Sequence, residues 1–208
     1  MIRISRFLRG LPALVVLSLA IGLSFPPRSA QAHEFVVELR ATGAEREAIL
    51  TDALRGFLVA TAERDGHADE TSNGHLGGLD VYIVPRPAGV AARFPDLRDA
   101  PSDRPDITLV IGPPDEVAAE VEAIGDETLA VPQGALDPAN RWNVAEDPDP
   151  AGFAGRYVAA FGQPPRRGAA QGYNAARRID AAIRPLGGVD DGAALHRALA
   201  DSAQGLRW

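Results

Sequence analysis

The chain has 208 residues, a formal net charge of −7, no cysteine, and 21 basic residues that are all arginine. The missing thiols exclude a disulfide framework, thiolate metal sites and cysteine nucleophiles, and the missing lysines exclude a Schiff-base mechanism. An acidic chain of this kind is also a poor holder of nucleic acid or anionic lipid.

Residues 1–10 carry Arg3, Arg6 and Arg9 and no acid, residues 11–23 form an apolar run of 13, and Ala30-Gln31-Ala32 has the small-x-small form of a cleavage site. This three-part pattern predicts a secretory signal over residues 1–32 and export to the periplasm. The apolar run is well short of the roughly 20 residues that a membrane-spanning helix needs. Cleavage after Ala32 leaves 176 residues beginning at His33, with 28 acids against 17 arginines and a net charge of −11. That length suits one domain with a real core.

Residues 35–40, FVVELR, form a β-prone run, and Thr42-Gly-Ala-Glu45 has the T-x-x-E spacing of a capping box that opens a helix to about Arg64. Ile49, Leu50, Ala53, Leu54, Phe57 and Leu58 recur at helical spacing. Residues 65–78 are polar and Gly-rich and read as a loop. A second strand over residues 79–84 is expected to stop at Pro85, and the four prolines within residues 86–105 mark irregular surface chain. Residues 106–111, DITLVI, have the near-continuous apolar character of a buried parallel strand. The Gly112-Pro-Pro-Asp115 turn then enters a helix with Val117, Val121 and Ile124 on its inner face, proline being well tolerated in a first helical turn. Residues 128–131 give a fourth strand, and residues 132–150 a Pro/Asp-rich connector. This alternation predicts an α/β fold, a parallel sheet flanked by helices, over residues 33–150. From residue 151 the chain turns helical, with stripes at Phe153, Tyr157 and Phe161, at Tyr173, Ala176, Ile179 and Ile183, and at Leu195, Ala198 and Leu199. Residues 151–208 are expected to pack on the same domain.

Residues 153–199 carry an ordered set of landmarks: Phe153, Tyr157, Phe161, Gly162 and Pro165, then Gly172-Tyr-Asn-Ala175, Ala182-Ile183, Gly187-Gly188, and a helix over residues 191–199. In order and spacing this segment resembles the closing part of the type I periplasmic solute-binding proteins of the branched-chain amino acid ABC transporter class. Residues 56–63, GFLVATAE, and the Ile-Gly-Pro turn at residues 111–113 are similar to earlier elements of that family. The resemblance implies a reduced type I binding-protein fold, an exported solute-binding protein as substrate-binding component of an ABC transporter, a small polar or amino-acid-like ligand, and a transporter permease or other envelope protein as partner. Two departures stand out. Where the family offers Ser or Thr to a ligand carboxylate at a helix N-terminus, this chain has Pro114, Asp115 and Glu116, which predicts a cationic or neutral polar ligand. The family's long middle section, which builds most of a second lobe, is also missing between Pro132 and Ala151.

The candidate ligand contacts are the turn with Gly112, Pro113, Asp115 and Glu116, the loop with His75 and Gly77, and Trp142 in the polar connector. His33, at the new N-terminus after cleavage, would need His67, His75 or His196 to chelate copper, and the loop from His67 through Asp69 and Glu70 to His75 mixes imidazole with carboxylate. Both read more simply as solvated chain, so no metal or cofactor is assigned. No G-x-S-x-G elbow, Walker loop or G-x-G-x-x-G is present, which leaves an enzyme reading without a nucleophile or cofactor signature. The alternative to solute binding is a non-catalytic accessory protein of the cell envelope that has lost the ligand cleft and docks a partner.

Overall fold

The computed structural model describes residues 33–64, 71–124, 129–132 and 151–205, so the expected signal segment, residues 65–70, most of the 132–150 connector and Trp142 lie outside it. Among the described residues, no helix is long and apolar enough to cross a membrane. Five strands, β1 (Glu34–Ala41), β2 (His75–Leu76), β3 (Leu79–Arg86), β4 (Ile107–Ile111) and β5 (Leu129–Pro132), form one sheet in the order β2-β3-β1-β4-β5. Among the described residues five α-helices accompany it, α1 (Arg46–Ala62), α2 (Pro114–Ile124), α3 (Phe153–Phe161), α4 (Arg167–Ile183) and α5 (Gly192–Gly205), with a short 3-10 helix at Ala88–Arg93. Strands β3, β1, β4 and β5 run parallel, while β2 pairs antiparallel with the start of β3. The sheet is therefore mixed, a correction to the all-parallel expectation.

Side-chain alternation along the strands divides the sheet into two unlike faces. Phe35, Val37 and Leu39 of β1, Val81 and Ile83 of β3, and Ile107, Leu109 and Ile111 of β4 belong to one core cluster with residues of α1, α3, α4 and α5. The opposite, second face carries Val36, Glu38 and Arg40 of β1 and Thr108 and Val110 of β4, with α2 lying along β4 and β5. Of the expected inner face of α2, Val117 is buried, whereas Val121 and Ile124 are only half-buried.

Pro85 does not stop its strand. The N–H groups of Val81 and Ile83 point away from β1, to the Gly74 carbonyl at 3.0 Å and the Asn73 side chain at 3.0 Å. By alternation the nitrogen of Pro85 points to the same outer edge, where a missing donor breaks no ladder. The segment read as loop before β3 is partly ordered for a related reason. The Asn73 N–H and side-chain oxygen bond the edge of β3, and the Thr61 hydroxyl donates to the Asn73 carbonyl at 2.6 Å.

The capping box is also corrected. Helix α1 starts at Arg46 with Glu45 at its N-cap and no side-chain cap. Thr42 instead belongs to the strand end, its N–H bonded to the Ile111 carbonyl at 2.9 Å.

Helix α4 is buried on nearly every side rather than along one stripe, because glycines and alanines fill its first half. It crosses α1 at backbone contact: a methyl group at Gly56 would overlap the Ala169 carbonyl oxygen, and one at Gly172 would overlap the Ala53 carbonyl oxygen. Phe153 of α3 stacks on Tyr173 with ring centroids 4.4 Å apart. Buried Arg178 reaches α5, donating to the Leu199 carbonyl at 3.0 Å. The C-terminal helices thus close the same core that the strands open.

Candidate functional site

Register places the sequence-derived candidates at opposite ends of the sheet. His75 pairs with Asp80, Asp80 with Glu34, and at the far end of β1 Ala41 pairs with Ile111, just before the Gly112 turn. The eight residues from Glu34 to Ala41 separate the two groups by roughly 23 Å along the strand. His75 and Gly77 therefore share no pocket with Gly112, Pro113, Asp115 and Glu116.

The His75 group has a structural role. His75 is buried and holds Asp80 through its Nε2 at 2.7 Å. Gly77 adopts a left-handed φ of 65°, a methyl group there would lie 2.5 Å from the Ile183 Cγ2, and its N–H donates to Asp180 of α4 at 2.8 Å. This turn is packed against helix α4. Asp180, itself buried, also accepts from Arg184 at 2.7 Å and faces Arg64 at 3.7 Å. Asp180→Ala strands the Gly77 N–H and is expected to cost about 2 kcal/mol. In urea unfolding the midpoint should drop with the slope unchanged.

At the other end, the β1–α1 and β4–α2 turns meet. Helix α1 leaves β1 on the core face and leads to β3 on one side, whereas α2 leaves β4 on the second face and leads to β5 on the other side. The chain reverses direction between β1 and β4, and open α/β sheets offer a crevice outside the strand ends at such a point. Gly112, with φ 155°, lies over Thr42, whose buried hydroxyl has no hydrogen-bond partner among the described residues and which a methyl group at Gly112 would strike. Pro113, Asp115 and Glu116 are exposed around this turn. The two carboxylates complement the positive end of α2 itself.

A second concavity, of about 700 Å³, lies on the second face and escaped sequence reading. Its lining includes Glu38, Arg40, Arg104, Thr108 and Ile124. Glu38 is 4% exposed, accepts from Arg40 Nε, and takes a 3.1 Å bond from Arg86 Nε. Arg40 donates from Nη1 to Glu120 at 2.8 Å. Burial alone would lower the Arg40 pKa, but the bonds to Glu120 and Glu38 outweigh it and raise the value, so the guanidinium stays charged. In sequence, the E-L-R run of β1 is only a polar alternation, and Arg86 stands beside Arg40 solely through register.

Of the histidines considered for metal binding, His33 and His196 are exposed and far apart in the chain, and His67 lies outside the described residues. No group of three or more His, Cys, Asp or Glu side chains is set to hold a metal among the described residues. The chain matches no protein-family model, no curated protein sequence and no solved structure.

Proposed function

We propose that this protein is an exported, non-catalytic solute-binding protein of the periplasm, a shortened relative of the type I solute-binding proteins of the branched-chain amino acid ABC transporter class. It holds a small polar solute at the carboxyl ends of β1 and β4 and presents it to a transporter permease. The observation that carries this reading is the chain reversal between β1 and β4, with the unpartnered Thr42 hydroxyl beneath a side-chain-free Gly112. A buried hydroxyl without a partner costs free energy that a bound polar group would recover. Because Asp115 and Glu116 flank the turn, the solute is cationic or neutral rather than a free carboxylate.

The test is a thermal-shift screen joined to mass spectrometry of whatever small molecule co-purifies. An amine or neutral polar solute at about ten times its Kd should raise Tm by roughly 3–5 °C, and Thr42→Val should abolish that rise. Stabilisation by anionic solutes alone would overturn the preference for a cation or neutral. No stabilisation by any solute, together with co-purification of a larger envelope protein, would replace the reading with that of an accessory subunit.

A further inference from the structure

The second face of the sheet carries a charged group that solute binding at the strand ends leaves unused. Arg40 and Arg86 are register partners on adjacent parallel strands, and both direct their Nε–H at one buried carboxylate, Glu38. A side-on bond at Nε fixes the plane of a guanidinium while leaving terminal nitrogens to turn elsewhere. Arg40 Nη1 is taken by Glu120, but among the described residues nothing accepts from Arg40 Nη2 or from either terminal nitrogen of Arg86. The two side chains are 36% and 47% exposed, whereas that of Glu38 is 6% exposed. The donors therefore lie at the surface and their anchor beneath it. Arg40 also lines the concavity that continues over Thr108 to Arg104.

The cost of burying Glu38 is hard to explain as simple stabilisation. Removing a carboxylate from water costs several kcal/mol, and a buried ion pair often does no better than an apolar replacement. On a sheet whose other face carries apolar side chains from β1, β3 and β4, the group gains by holding two planar forks side by side. Such paired forks match the two or three oxygens of a carboxylate or phosphate, which a point charge does not.

We infer that Arg40 and Arg86, positioned by Glu38, form a binding site for a small oxyanion on the second face of the sheet, separate from the strand-end crevice and independent of what binds there. Glu38 is a positioning residue and makes no contact with the ligand.

Calorimetric titration of the purified protein at low ionic strength, with inorganic phosphate and separately with succinate, tests this. At least one probe should bind saturably with a Kd of about a millimolar or below. Binding by phosphate alone identifies a phosphoryl ligand, and binding by succinate alone a carboxylate. Arg40→Gln and Arg86→Gln should each weaken binding about tenfold, and Arg40→Lys should do the same because it keeps the charge but loses the fork. Arg93→Gln, which alters only exposed contacts with Glu47 and the Thr51 hydroxyl, should leave binding unchanged. Should Arg40→Gln fail to fold, Arg86→Gln, at a more exposed side chain, still decides the question. Absence of saturable binding by both probes, or parent-like affinity in the foldable glutamine variants, would overturn the inference.

Discussion

Gly172→Ala should unfold this protein or come close to doing so. A methyl group at position 172 would overlap the Ala53 carbonyl oxygen and stand 2.7 Å from the Ala53 Cα, and both obstacles are backbone of α1. No rotamer change relieves a clash with backbone, so α1 and α4 must separate along a contact that holds Ala53, Leu54 and Phe57 on one side and Ala169, Tyr173 and Ala176 on the other. Overpacking of a core costs typically 1–3 kcal/mol where side chains can shift, and more where they cannot. The expected loss is about 4 kcal/mol, a large part of the roughly 5–15 kcal/mol that keeps a domain folded. Gly56→Ala meets the Ala169 carbonyl in the same way and should match it. The two changes combined should cost less than their sum, since either one opens the same crossing. Circular dichroism during thermal unfolding measures all three. A Tm within a few degrees of the parent for either single variant would mean that the helices do not touch at these glycines.

Stability should also fall steeply in alkali, for a reason peculiar to this composition. The chain has three tyrosines and neither lysine nor cysteine, so between neutrality and pH 12 its tyrosines are the main side chains that titrate. Burial, then a hydrogen bond to Glu63 and the charge of that carboxylate, push the Tyr173 pKa from 10.0 up to about 12. Burial and the nearby Asp52 charge also raise that of Tyr157. A group whose pKa is higher in the folded state keeps its proton better there. Its contribution is fully present below the unfolded value near pH 10 and disappears as pH rises through the folded value near 12. For Tyr173 alone the loss over that window is about 2–3 kcal/mol. Urea midpoints measured from pH 9 to 12 should show the decline, and Tyr173→Phe should flatten most of it. An unchanged slope in the phenylalanine variant would assign the alkaline loss to another group.

Much of the architecture could be read from periodicity, since apolar runs such as residues 107–111 and stripes such as Phe153–Tyr157–Phe161 depend only on local repetition. What escaped depends on partners distant in the chain. The two residues of β2 form a strand only because Ser72, Asn73 and Gly74 are pinned to each other and to β3. Pro85 reads as a stop until the outer side of its own strand, beyond the short pairing with β2, is known to be an edge. Helix α4 reads as amphipathic because Gln171, Asn174 and Arg178 are polar, yet all three are buried between neighbours that no local pattern reveals. For the site, the Gly112 turn was legible as a strand-to-helix junction with an unusual glycine. The separation of His75 and Gly77 from it was not, because only register sets the ends of the sheet apart. The Glu38 group was least legible, its members meeting across strands 48 positions apart.

The crossing of α1 and α4 also bears on how the chain reaches its native state. Gly56 meets Ala169 and Ala53 meets Gly172, so the face of α1 that carries Ala53 and Gly56 has no partner until the chain beyond residue 167 has emerged. Contacts this remote in sequence close late, since the loop between them must be ordered before it is rewarded. Until then that face remains uncovered, a state prone to association with other chains. A fragment that stops at residue 150 should therefore be a sticky, loosely collapsed chain rather than a smaller domain.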